Sequence, residues 1–341
     1  MKRKKLFYSL IAILPLALSS CDSGVHHGIE EYKSGEIAYH DDFTILQLTD
    51  THISDKDDQE TQFNFIKKVV NDADKKAEEL HGAGHKVDMI VVTGDLFTFA
   101  STGTMKRYFD LLNSFDKYWT VTFGNHDEQV YFSIDYMTGY LNDLAAKENS
   151  KCLFKDIQDD DVTGNCNHYV NLMKDNKVFE QLIMMDSNRY HYGFDCNGYD
   201  WFKQDQIDWY KAAIKTAKDN NASSRSLMFY HIPLPEVNDA YNEAKEAGTL
   251  DGVKREDSCP PKFNSGFFTE IKNGQHTDAM FFGHDHINDF YCTYQGVIFS
   301  YGLKTDNRIY ADDDLLGGQL ITIDDDHSIS IERVFATYGE E

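Results

Sequence analysis

The stretch Trp119-Thr120-Val121-Thr122-Phe123-Gly124-Asn125-His126-Asp127 decides how this chain is read. Its first five residues are an apolar, β-branched and aromatic run of strand length. Where that run ends come a turn glycine, a neutral amide oxygen, an imidazole and a carboxylate. An amide oxygen can ligate a hard cation without adding charge. The neighbouring imidazole can give or take a proton near pH 7. Four residues can meet by chance, so the question is whether other strand ends carry matching groups.

Four others do. Asp50-Thr51-His52 follows the run 43–48, and Gly94-Asp95 follows 89–92. His231-Ile232-Pro233 follows 226–230, and Gly283-His284-Asp285-His286 follows 279–282. Singly, each has an ordinary explanation. Asp50 and His52 can cap a helix, Gly94-Asp95 is a common turn pair, and His231 can be a core histidine. His284 and His286 alternate, so on an extended segment they share a side. Ligands of open α/β sheets bind beyond the carboxyl ends of strands. Five such ends in order therefore point to one shared, metal-binding crevice.

The segments between these ends predict helices. Phe63, Ile66, Val69, Val70, Ala73, Ala77 and Leu80 recur at helical spacing, with Gly82 as a stop. Met105, Phe109 and Leu112 mark a second helix, Ile134, Met137, Leu141 and Leu144 a third, and Ile207, Tyr210, Ile214 and Ala217 a fourth. Residues 150–200 are less regular, with a strand at 179–185. The runs 297–300, 319–323 and 328–331 read as further strands. Alternating strands and helices predict one α/β domain of packed sheets flanked by helices, spanning 43–341.

The first 20 residues have the layout of a secretory signal: a basic start, Lys2 to Lys5, an apolar run from Leu6 to Leu18, and Leu18-Ser19-Ser20-Cys21 to close it. That close resembles a bacterial lipobox. The implication is cleavage before Cys21, lipidation of its thiol, and a lipoprotein held at a membrane on its periplasmic or extracellular face. Residues 21–42 are polar and aperiodic and read as a tether. The net charge is −24 and becomes more negative without the leader. Such a surface repels polyanions and argues against a nucleic-acid partner. Past Cys21 there are five cysteines and no C-x-x-C pair, which disfavours a thiolate zinc knot. The loop-rich placement of Cys152, Cys166 and Cys196 favours a bridge among them.

The five motifs together resemble the calcineurin-like metallophosphoesterases, over about residues 43–303. The resemblance implies a four-layer α/β/β/α sandwich. Asp50, His52, Asp95 and His286 would hold a first metal; Asp95, Asn125, His231 and His284 a second. Asp95 would bridge through its two oxygens, His126 would face the leaving group, and Asp127 would orient His126. Two dications so held clamp the phosphoryl oxygens and acidify a bridging water for in-line attack. Carboxylate, amide and imidazole donors suit Mn, Fe or Zn better than Ca. The segments 231–236 and 283–290 look like the branch containing purple-acid-phosphatase-like plant proteins and a yeast cell-cycle-regulator phosphatase. True purple acid phosphatases carry a Tyr ligand where this chain has Thr98, and lack a counterpart of His52, so no iron–tyrosinate centre is expected.

The implied activity is hydrolysis of phosphate esters, most readily monoesters, of a small molecule or a phosphoprotein. A phosphodiesterase or nucleotide pyrophosphatase on the same centre is the alternative. A non-catalytic, ligand-binding lipoprotein is the alternative from another class. Arg189, Arg255, Lys304 and Arg308, in loops or at element ends, could contact the non-reacting part of a phosphate ester, but solubilising surface roles are expected for each; the aromatic residues of 190–201 could floor a pocket, but packing is expected.

Overall fold

The computed structural model describes residues 28–157, 161–193 and 197–339. The leader, Cys21 and Cys196 lie outside these residues.

In chain order the strands and helices are β1 (Lys33–Ala38), β2 (Phe43–Leu48), α1 (Gln59–His81), β3 (Met89–Thr93), α2 (Thr102–Ser114), β4 (Tyr118–Thr122) and α3 (Ile134–Ala145). Then follow β5 (His168–Lys174), β6 (Lys177–Met184), the short hairpin β7 (Tyr190–Tyr192) and β8 (Asn197–Tyr199), and α4 (Gln204–Asn220). The remainder is β9 (Arg225–Phe229), α5 (Val237–Ala247), α6 (Phe267–Gly274), β10 (Thr277–Phe282), β11 (Tyr291–Tyr294), β12 (Val297–Tyr301), β13 (Gly317–Ile323) and β14 (Ile329–Phe335).

Two sheets result, one ordered β1-β5-β6-β9-β10-β12-β11 and the other β14-β13-β2-β3-β4. Period-two alternation sends each strand's side chains to two different cores. Ile45 of β2, Val91 of β3, Leu182 of β6, Phe229 of β9 and Phe281 of β10 meet in the layer between the sheets. Their neighbours Leu46, Val92 and Val121 face outward onto α1, α2 and α3. On the other side Met228, Tyr230, Met280 and Phe282 face α4, α5 and α6. Three apolar layers thus separate helices, sheet, sheet and helices, the expected four-layer sandwich. Because the central strands are covered on both faces, they read as continuous apolar runs.

The helices start and stop where local chemistry dictates. The Asp58 side chain accepts from Glu60 N and caps α1, while Gly82 closes it. Ser101 and Ser133 cap α2 and α3 in the same way. Inside α1, Phe63, Ile66, Val69, Val70 and Ala73 are buried. Each large apolar side chain so buried contributes about 1.5–3 kcal/mol.

Two expectations need correction here. Residues 33–38, read as tether, form edge strand β1, paired in parallel with β5. Tyr32 is buried edge-on against Trp209, and Ile37 enters the inter-sheet core. Two anchors among Lys33, Ser34, Gly35 and Glu36 are too sparse to show as alternation. Cys152 and Cys166 are both buried free thiols, so no bridge joins them.

β2, β3 and β4 run parallel to one another, as do β6, β9, β10 and β12. A buried polar seam ties the two sheets together. Gln47 Nε2 donates to Thr93 Oγ1 at 2.9 Å and to the Phe282 carbonyl at 3.2 Å, and Gln319 Nε2 donates to Gln47 Oε1 at 3.1 Å. Beyond that seam the carboxyl ends of strands from both sheets meet.

Candidate metal centre

Each strand end delivers its polar group through a tight turn. Asp50, His52, Asp95 and His284 all have positive φ, at 53°, 41°, 50° and 80°. Non-glycine residues adopt that region at a cost, and here four of them do so side by side. The turns are laced together by backbone bonds: Asp50 N to the Gly94 carbonyl, His52 N to that of Asp95, and Gly283 N to that of His231. A β-carbon on Gly94 would lie 2.6 Å from the His231 ring, so glycine is what lets these turns approach.

The ligand-type atoms of Asp50, His52, Asp95 and His286 all lie within 4.8 Å of one another, and all four residues are buried. Each carboxylate uses one oxygen to fix itself and turns the other inward. Asp50 Oδ2 accepts from Thr49 Oγ1 at 2.8 Å and from His284 N at 3.1 Å. Asp95 Oδ1 accepts from His126 N at 2.7 Å. Asp50 Oδ1 and Asp95 Oδ2 meet no hydrogen-bond partner among the described residues, and neither do Asn125 Oδ1, His231 Nε2 or His284 Nε2. Buried polar atoms are rarely left so.

The imidazoles explain why. His286 Nδ1 donates to the Tyr310 carbonyl at 3.1 Å, and His231 Nδ1 donates to the Thr93 carbonyl at 2.8 Å. In the neutral rings Nε2 is then a bare lone pair. His286 Nε2 lies 3.3 Å from Asp50 Oδ1, and His231 Nε2 lies 3.2 Å from Asp95 Oδ2. Lone pair facing lone pair is repulsive unless a proton or a metal cation lies between them. The same pull shows in His231: burial opposes charging it, but Asp95 and Asp50 push it up to about 10. Burial, aided by Lys304, holds His52 well below the usual imidazole range. Burial and His231 lower His284 to about 3. Neutral imidazoles are the form that binds metal. The donor set therefore fits metal ions.

Asp95 Oδ2 lies 3.7 Å from His52 Nε2 and 3.2 Å from His231 Nε2, between the two groups of ligand-type residues. The inward reach of Asp95 is this single oxygen, not the two expected, because the His126 amide occupies the other. Asn125 Nδ2 donates to Tyr190 Oη at 3.0 Å, which turns its Oδ1 inward.

A family model described as calcineurin-like phosphoesterase matches residues 43–288. The chain belongs to that family. Among curated relatives of this calcineurin-like phosphoesterase are two Arabidopsis thaliana proteins, each 26% identical to it. One is named "Probable inactive purple acid phosphatase 14", the match covering 85% of this chain and 77% of the relative. The other is "Probable inactive purple acid phosphatase 29", with 88% and 81% covered. A solved dimetal phosphatase from Danio rerio superposes with a TM-score of 0.52 at 12% identity, covering 88% of this chain and all of that one. That likeness shows the fold.

His126 is half-buried at the edge of the cluster, its ring 5.2 Å from that of His52. Asp127, expected to orient His126, is engaged elsewhere. Its Oδ1 accepts from Leu96 N at 2.8 Å and Phe97 N at 3.1 Å, and its Oδ2 from Gly124 N at 2.7 Å. Asp127 thus staples the turn after β3 to the turn after β4. The His126 ring is held instead by Gln129, whose Oε1 accepts from Nδ1 at 2.8 Å. Gln129 was missed, and its i+3 spacing from His126 is the only sequence signal for it.

Other partners were also unforeseen. Thr98 Oγ1 meets His52 Nδ1 at 2.9 Å, so the position that carries tyrosine in purple acid phosphatases here supports a ring. Tyr310 stacks on His286 with centroids 4.2 Å apart. Lys304 is no surface residue. It is buried, and its ammonium donates to the Asp50 carbonyl at 2.9 Å. Arg189 is largely buried between Glu128 and Asp186, whereas Arg255 and Arg308 pair with Asp312 and Asp57 toward the surface.

Proposed function

We propose that this chain hydrolyses phosphate esters, monoesters foremost, with a dinuclear centre of Mn, Fe or Zn. Asp50, His52, Asp95 and His286 would hold one ion, and Asp95, Asn125, His231 and His284 the other. The single observation that carries the reading is the convergence of unpartnered, buried oxygen and nitrogen atoms from five strand ends. Two such cations would supply Lewis-acid charge for the phosphoryl oxygens and lower the pKa of a water.

The chain's own residues do the rest. Asp95 keeps its inward oxygen on the line between the two groups because His126 N fixes its other oxygen. Asn125 contributes an oxygen without charge, in an orientation set by Tyr190. With Nδ1 donating to Gln129, His126 has Nε2 left to hold or pass a proton at the departing oxygen. Lys304 adds one fixed positive charge behind Asp50, offsetting part of the carboxylate charge.

Two assays test this reading. Metal analysis of the full-length protein should give about two ions per chain by the two-metal arrangement. Paired assays with aryl phosphate monoesters and diesters should show the monoester turned over faster. Faster diester cleavage would move the assignment to a phosphodiesterase. Metal without turnover of either ester would leave a ligand-binding protein, the direction in which the relatives' names point. Export and lipid attachment at Cys21 are a separate proposal that rests on the leader; intact-mass analysis of membrane-extracted protein tests it.

A further inference from the structure

We propose that the β7–β8 hairpin is an aromatic wall that selects phosphate esters whose organic group carries a planar ring. This rests on the phosphoesterase reading and deepens it. Tyr190 and Tyr199 are direct cross-strand partners, stacked with centroids 5.4 Å apart and planes 29° from parallel. Tyr192 extends the stack at 6.1 Å and 26°. The inner end of the stack touches two ligand-type residues. Tyr199 stands edge-on to the His284 ring at 4.3 Å and 90°, and Tyr190 Oη accepts from Asn125 Nδ2 at 3.0 Å. The outer end is in water: Tyr190 is 37% exposed and Tyr192 80%.

Core packing does not account for these rings. None of Tyr190, Tyr192, Tyr199 and Trp201 belongs to the three apolar cores. The hairpin pairs with neither large sheet. Next to the stack, Trp201 packs on the His191 ring of the hairpin, with centroids 4.7 Å apart, and on Phe263, 4.6 Å away and half exposed. Exposed, contiguous aromatic surface on a protein this acidic marks a contact site. The tyrosine rings carry no charge of their own, and Lys203 and Asp200 beside them pair with each other, Lys203 Nζ standing 3.6 Å over the Trp201 ring. An anionic ester approaching a chain of net charge −24 meets no added repulsion there. A ring entering beside Tyr190 gains offset stacking, which aromatic pairs prefer. A saturated ring of equal bulk gains area burial only.

The test compares benzyl phosphate with cyclohexylmethyl phosphate, esters of similar bulk and leaving-group acidity that differ in planarity. With manganese-loaded full-length protein, kcat/KM for the benzyl ester should be higher by about tenfold, the size of one stacking contact. Tyr192→Ala should cut that ratio several-fold. Tyr192→Leu, which keeps apolar bulk and loses the π face, should cut it as well. Calorimetric titration with benzylphosphonate and cyclohexylmethylphosphonate gives the same comparison without turnover. Tighter benzylphosphonate binding with neither ester hydrolysed would uphold the wall and sink the phosphoesterase reading. Turnover of both esters at equal kcat/KM, or a ratio indifferent to Tyr192, would overturn the wall and leave that reading standing.

Discussion

The two ends of the sandwich carry the same kinds of side chain and use them in opposite ways. At the amino ends of β2, β3 and β6 lie His40, His81, His85, Asp88, Glu180 and, from the β13–β14 turn, His327. His40 meets Asp88 at 2.9 Å, His85 meets Thr44 at 3.0 Å, His81 meets Thr322 at 3.2 Å, and His327 meets Glu180 at 2.9 Å. Each of these histidines has a protein partner. At the carboxyl ends, His231, His284, Asp50 and Asp95 each keep a buried atom without one. A cluster of histidines and carboxylates is therefore not a metal site by composition. His276 Nε2, just before β10 at the amino end, is also buried and unanswered, so what separates the two ends is that at the carboxyl end such atoms from five strands meet.

The largest effect should come from breaking the unanswered end. Asp95→Asn removes the charge of the one oxygen that lies between both groups. It should strip at least one metal ion per chain and lower turnover by on the order of 10³-fold. Asp88→Asn at the opposite end should change neither metal content nor turnover. Parallel metal analysis and phosphate-release assays on the two variants check this. Equal metal loss in both would erase the distinction between the ends.

His126 sharpens the comparison further, because it lies at the unanswered end without belonging to either ligand group. His126→Ala should keep the metals and lose about 10²–10⁴-fold in turnover of an unactivated alkyl ester, the usual share of general acid catalysis. The loss should shrink for an aryl ester whose leaving group needs no proton. Retained metal with undiminished alkyl-ester turnover would remove His126 from the mechanism.

The difference between the ends also explains what could be read from the sequence. The central strands of both sheets were legible because double-sided burial writes them as short apolar runs bounded by glycine and polar turns. Their turn residues were legible because each follows such a run directly. The strands at one side of the larger sheet were not. Edge strand β1 buries only Ile37, with Tyr32 just before it, and its inner neighbour β5, entered through Asn167 and His168, is half polar. Roles set by orientation were also hidden. Nothing in Gly-Asn-His-Asp tells that the aspartate turns back to three amides while Gln129 holds the histidine. Nor could Lys304, a lysine in a loop, announce that it points inward. Position along the chain identifies which groups meet; the partners each atom finds there decide its role.

Asp127 tests that last point. If its role is to staple two turns, Asp127→Ala leaves three buried N–H groups unpaired and should cost about 3 kcal/mol of stability, read by urea unfolding. The metal-loaded fraction that remains folded should keep a His126 ring held by Gln129, and with it the alkyl-to-aryl turnover ratio. Unchanged stability with a collapsed ratio would restore Asp127 as the residue that orients His126.

The smallest effect belongs to the answered end and concerns pH. Burial pushes Glu180 up to about 7, with His327 pulling against it. A carboxyl raised above its unfolded value contributes stability that is fully present below that value, 4.5 for glutamate, and is lost as pH rises through the folded one. Wild type should therefore lose stability relative to Glu180→Gln between about pH 4.5 and 7, with a slope approaching about 1.4 kcal/mol per unit. Metal release at low pH destabilises both proteins alike, because the centre lies at the opposite end of the strands. The difference between their urea-unfolding free energies removes it. Parallel stability curves across this window would mean that Glu180 stays ionised throughout, held by His327, and that a protein partner answers a buried charge at this end as fully as a cation would at the other.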